Sequence, residues 1–215
     1  MSKPKKTGAN DAEVIALLKR YRCPTPFHEV RTRFLGNIAS PVMGASPMET
    51  IKQLWGGELP EFDSMEAVNE LLNGLMEGLW NRLSAHQSSL NPFRLLRFDV
   101  VPTREGLAHF VQVRSQEFDG FVEGLFGSEE HIELPKRAHE ALGVLTETRA
   151  ILAGLATSLD DLSKPAMPED LKALIHNIQD ITLIMETKMN NTIRSCKRAR
   201  IHLRDQKPAT KPTLH

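Results

Sequence analysis

The stretch Gly56–Leu83, GGELPEFDSMEAVNELLNGLMEGLWNRL, constrains the fold more than any other part of the chain. From Met65 its apolar residues recur at helical spacing. Val68, Leu71, Leu72, Leu75, Met76, Leu79, Trp80 and Leu83 make one wide face, with Glu66, Glu70, Glu77 and Asn81 largely opposite. Gly56-Gly57 stops the preceding helix, and Asp63 with Glu66 three residues later reads as an N-cap and capping box. Gly74 and Gly78 lie one turn apart inside the helix. A glycine there costs about 1 kcal/mol relative to alanine, so the pair points to close approach of another backbone.

The same period runs through the rest of the chain. Asn10 or Asp11 caps a short helix with Val14, Ile15, Leu17 and Leu18 on its apolar side, stopped by Pro24 and Pro26. Thr25 then caps a second helix with Pro26 at its first position, carrying Phe27, Val30, Phe34, Leu35 and Ile38 and ending near Pro41. Ser46-Pro47-Met48-Glu49 is a complete N-terminus signature and opens a short helix through Ile51, Leu54 and Trp55. The central helix runs to about His86. Residues 88–102 read as a loop, in which Phe93–Val101 could hold a short extended piece.

Thr103 starts the next helix, with Leu107, Phe110, Val111, Phe118, Phe121, Val122 and Leu125 on one face and a stop near Gly127. Gly120 and Gly124 repeat the one-turn glycine pair, which leads to the expectation that the two glycine-paired helices pack together. Pro135 opens a helix carrying Ala138, Leu142, Leu145, Leu152 and Leu155. The last helix runs from about Pro168 to about Leu203, with Leu171, Leu174, Ile175, Ile178, Ile181, Met185, Met189 and Ile193 inside. Its length of about 50 Å exceeds a domain of this size, so its C-terminal third is expected to project or to meet a partner. No strand alternation is present. The reading is an all-α, single helical-bundle domain of about six to seven helices with a long basic C-terminal helix. Residues 1–9 are a disordered basic lead, 10–190 the helical domain, and 191–215 a basic helix end and flexible tail.

Charge is balanced over the 215 residues, with 27 Lys and Arg against 27 Asp and Glu. The balance hides an asymmetry: residues 187–215 hold eight bases and one acid, whereas residues 99–186 hold 16 acids and seven bases. An acidic body with a basic end is a pattern for partners or self-association. The two cysteines, Cys23 and Cys196, form no CxxC pair or metal-ligand spacing. The polar start MSKPKKTGAN lacks the apolar core of a signal peptide, and no apolar run reaches membrane-spanning length. The expectation is a soluble cytoplasmic protein with reduced thiols and no membrane partner.

Motifs that carry chemistry are sparse. None of the eight histidines stands three residues after a glutamate, and there is no His-Glu-x-x-His, P-loop or GxGxxG. Glu105 and His109 share a helix face at i, i+4, the one candidate start of a metal-dependent site. Cys23 near His28 suggests a thiolate–imidazole pair, but no orienting carboxylate accompanies it, and an inert thiol is the favoured reading. Asp160-Asp161 and Glu129-Glu130 are assigned to loops and helix starts, where negative charge is favourable. No cofactor is expected.

The basic end carries the functional expectation. Arg194, Lys197, Arg198 and Arg204 cluster on one side of the last helix, while Arg200 lies well round from them. Such a surface suits an acidic protein or phosphates, and it lacks the aromatics that stack single-stranded bases. The preferred reading is a non-enzymatic protein that binds an unidentified protein partner as an adaptor or regulator. Nucleic-acid association through the same end is the alternative, and a metal-dependent enzyme around Glu105 and His109 the second. A homo-oligomer seam on the last helix stays open.

Three segments resemble the YecA/YgfB-like family of bacterial proteins. RFLGNIASP (Arg33–Pro41) is similar to the family's Gly-Phe-Leu-x-Ala-(Ile/Val)-Ala-Ser-x-Pro region, with Arg33 in place of the glycine. Trp55–Leu83 resembles the family's tryptophan, Leu-Pro-x-Phe turn and following helix, with Asn81 at the late asparagine. EFDGFVEGL (Glu117–Leu125) resembles its Trp-x-x-Gly-Phe-x-x-Gly helix, with Phe118 near the aromatic position. Together they cover about residues 30–126. The resemblance implies an all-helical fold and no established enzymatic activity. Some members of that family end in a cysteine-rich zinc module, which the end Cys196–His215 cannot build.

Overall fold

A computed structural model describes residues 10–42, 46–161 and 167–206, the last three as backbone alone. The expected basic lead and flexible tail, and the Arg204 side chain, lie outside the described residues. The elements are α1 (Asp11–Arg20), α2 (Phe27–Ala39), α3 (Pro47–Gln53), α4 (Met65–Asn73), α5 (Asn81–Ser84), α6 (Arg104–Phe126), α7 (Lys136–Asp160) and α8 (Pro168–Gln206), with no strand among the described residues. A π-helical segment, Gly74–Trp80, joins α4 to α5, and a 3₁₀ turn, Ala85–Gln87, closes that rod. The chain is all-α, as its periodicity requires.

Several helix starts form as expected. Asn10 makes a full capping box with Glu13, and the Thr103 hydroxyl accepts from Gly106 N. Three others differ. Ser64, not Asp63, caps α4, accepting from Ala67 N. The Thr25 hydroxyl donates instead to the Leu54 carbonyl, so α2 begins after Pro26 without a side-chain cap. Ser46 occupies the cap position of α3 but makes no side-chain cap bond.

The centre of the bundle is α2, buried without interruption from Thr32 to Ala39. Its closest neighbour is α6, and glycines set the approach. A Cβ on Gly120 would stand 2.7 Å from the Glu29 carbonyl oxygen, and one on Gly36 2.6 Å from Leu125 N. Gly124 faces the Arg33 carbonyl in the same way. The pairing of Gly74/Gly78 with Gly120/Gly124 is therefore corrected. The second pair meets α2, Gly120 at Glu29 and Thr32 and Gly124 at Arg33 and Gly36, while Gly74 receives the Leu17 side chain of α1. The π-helical segment begins at Gly74 and is sealed by an Asn81 N–H to Met76 carbonyl bond.

The expected loop between the central rod and α6 lacks regular structure, yet Phe93 and Leu95 are fully or nearly fully buried. Buried backbone polar groups need partners, and side chains of α6 and α8 supply them. Asn190 accepts from Phe93 N and donates to Phe93 O. The buried carboxylate of Glu186 accepts from Leu95 N and from Arg94 and Arg97, at 2.8–2.9 Å. Glu117 accepts from Leu96 N while Arg114, paired to Glu117, donates to Leu96 O. Burial pushes the Glu117 carboxyl up from its ordinary range, opposed by the Arg114 charge beside it.

The last helix does not project as expected. Ile193 and Cys196 are fully buried, and Arg200 donates to the Ser40 carbonyl and to Gln87 Oε1. The apolar stripe continues past Met189, so α8 stays docked against α2 and the 3₁₀ turn through Arg200. From Ile201 to Leu203 every residue is exposed.

Candidate functional site

The helices α7 and α8 are joined by residues 161–167 and run antiparallel, and a groove of about 510 Å³ opens along their outer seam. Arg137, Glu140, Ala141 and Val144 line it from α7, and Lys188, Asn191, Arg194, Ser195 and Arg198 from α8. The α8 positions are spaced three and four apart, so they form one track along the helix. Beneath them Ala138, Leu145, Thr192 and Cys196 are buried, which fixes the outward direction of the track.

The groove holds four cations and one carboxylate, Glu140. Among the described residues none of Arg137, Lys188, Arg194 and Arg198 has a carboxylate partner. Elsewhere in the bundle Arg33, Arg94, Arg97, Arg114 and Arg149 all rest on acids. Arg194 is held in place by neutral oxygens: Nε donates to Asn190 O at 3.1 Å and Nη2 to Asn191 Oδ1 at 2.7 Å. These bonds orient the guanidinium without cancelling its charge. The chemistry of the groove is recognition of anionic oxygens.

Of the residues singled out from sequence, Arg194 and Arg198 thus share one groove. Lys197 is half-buried and, one residue from Arg198, is turned about 100° away round the helix. Arg200 is spent on structural bonds. Sequence reasoning missed Arg137 and Lys188. Pairing the last two helices as an antiparallel hairpin would have brought Arg137 to the basic end of α8.

The other candidates stand apart. Glu105 and His109 line a separate hollow of about 670 Å³ with Arg149 and Asp160, and the His109 ring lies 5.6 Å from that of Phe98. Among the described residues no group of three or more His, Cys, Asp or Glu is placed to hold a metal ion. Cys23 and His28 have different partners: the thiol donates to the Leu54 carbonyl, and His28 Nε2 lies 2.8 Å from Gln116 Oε1. Burial pushes the Cys23 thiol up and the His28 imidazole down, away from a thiolate–imidazolium pair. Asp160 is the last residue of α7 rather than part of a loop or helix start, and Arg104 covers that end by donating to the Leu159 and Asp161 carbonyls. A third hollow, of about 540 Å³, is lined by Arg33, Asn37 and Glu123, but Arg33 there is already paired with Glu29 and Glu123.

No described helix is long and apolar enough to cross a membrane. No protein-family model, curated protein or solved structure matches the chain.

Proposed function

We propose that this chain is a non-enzymatic helical protein that works in the cytoplasm by binding another protein, as an adaptor or regulator, and that the α7–α8 groove is its contact surface. The observation that carries this reading is the set of four cations without carboxylate partners gathered in one groove, whereas Arg33, Arg94, Arg97, Arg114 and Arg149 elsewhere in the bundle rest on acids. An uncompensated basic groove favours partners presenting carboxylates, and it steers their approach. Glu140 within it and the absence of aromatic residues along it favour protein over nucleic acid.

The YecA/YgfB-like resemblance belongs to the same proposal. Two of its three segments, Arg33–Pro41 and Glu117–Leu125, lie where α2 and α6 meet through Gly36, Gly120 and Gly124. The third carries Trp80, whose indole donates to Asn37 Oδ1 of the first. Placement at packing contacts supports a scaffold role for those motifs and leaves the working surface to α7 and α8.

The test is affinity purification from the native host, comparing the chain with Arg137→Glu/Arg198→Glu. Recovery of the same protein partner by the native chain and not by the variant is expected. Recovery of nucleic acid alone, or of an unchanged partner by the variant, overturns the assignment.

A further inference from the structure

Beyond the basic groove, the same seam becomes apolar. Ile151 is 54% exposed and Ile184 44% exposed, high values for isoleucine on helices whose opposite faces are core. Ile184 stands one turn before Lys188, on the track that continues through Asn191, Ser195 and Arg198. Ile151 stands seven residues after Val144, two turns along the matching track of α7. Because the two helices are antiparallel, moving forward from Val144 and backward from Lys188 is the same direction. The register that sets Arg137–Val144 against Lys188–Arg198 therefore sets Ile151 against Ile184.

From these placements we infer that the α7–α8 seam is a docking track for an amphipathic acidic helix of a partner protein, whose carboxylates meet Arg137, Arg194 and Arg198 and whose apolar residues cover Ile151 and Ile184. This rests on the proposed protein-binding role and names its partner class. The track from Arg137 to Ile151 is about 21 Å long, four turns of helix, so the docked element is about 15 residues. Charge complementarity fixes its orientation, because the basic and apolar parts lie at opposite ends of the seam. A helix in a groove is read through anchors three, four and seven residues apart, and both tracks present that spacing. A nucleic-acid backbone would find phosphate contacts at one end only and nothing for the two isoleucines.

The test uses three fluorescent probes of equal length: a helical peptide with glutamates at one end and leucines at the other on one face, the same composition scrambled off that face, and a DNA duplex. Binding is read by anisotropy against the native chain, Arg137→Glu/Arg198→Glu and Ile151→Asp/Ile184→Asp. The amphipathic peptide is expected to bind best, and each double variant to lose about tenfold or more. Equal binding of the scrambled peptide, or loss with the arginine variant alone, overturns the helical track while leaving the basic groove standing. Preference for the duplex, or no binding of either peptide, removes both.

Discussion

Asn190 of α8 holds both polar groups of Phe93 from 97 residues away, accepting from its N–H at 2.9 Å and donating to its carbonyl at 3.0 Å. Two sides of the bundle are joined by one amide. The substitution Asn190→Ala leaves two buried backbone groups unpartnered, and the expected cost is about 2–4 kcal/mol, read from urea denaturation. In Asn190→Asp the acceptor survives but a carboxylate faces the Phe93 carbonyl, so this variant is expected to regain stability as pH falls and the new acid is protonated. A mild loss of under about 0.5 kcal/mol in Asn190→Ala would show that the loop is not clamped as described.

The glycine contacts make a paired prediction. Gly120→Ala drives a methyl group against the Glu29 carbonyl and the Thr32 hydroxyl, at 2.7 and 2.9 Å before relaxation. Separating α2 from α6 is expected to cost about 1–3 kcal/mol. Gly143 lies within α7, and a Cβ there meets nothing within 4 Å. Gly143→Ala is expected to raise stability by up to about 1 kcal/mol, since alanine is the better helix former. The opposite signs are checked by the urea midpoints of the two variants.

The two thiols are expected to differ in reactivity. Cys196 is fully buried and its thiol is pushed up to about 11, so almost none is thiolate at neutral pH. Cys23 is half-buried and donates to the Leu54 carbonyl, with its thiol raised as well. Titration with a chromogenic disulfide should label Cys23 slowly in the folded protein and Cys196 only at the rate of global unfolding. Rapid labelling of Cys196 would contradict the docking of α8.

How the sequence foretold this architecture differs from element to element. Helical period and caps at Asn10 and Thr103 located most helices, because both signals are local. The start of α4 slipped by one residue, since Asp63 and Ser64 are both competent caps and Met65, counted as the first apolar residue, is 69% exposed. α2 was not read as the partner of Gly120 and Gly124, because period says that a glycine is close to something but not to which helix. Helical period alone does not single out Glu117, Glu186 or Asn190 as buried residues. Their burial is imposed by residues 93–97, which have no period to announce them. At the site, Arg194 and Arg198 were visible from the charge run of one helix. Arg137 and Lys188 joined them only through the antiparallel register of two helices. The projecting end expected of α8 failed for a related reason: length says how far a helix reaches, not which neighbours run beside it.

The most direct measurement of the proposed role is site-specific photocross-linking in the native host. A photoreactive residue at Val144 samples the floor of the groove, and one at Leu90, 94% exposed in the loop before Phe93, serves as the control. A protein adduct formed at Val144, absent at Leu90 and abolished by Arg137→Glu/Arg198→Glu is the expected result. Adducts of equal yield at both positions, or adducts at Val144 to nucleic acid alone, would contradict binding of a protein partner through the α7–α8 groove.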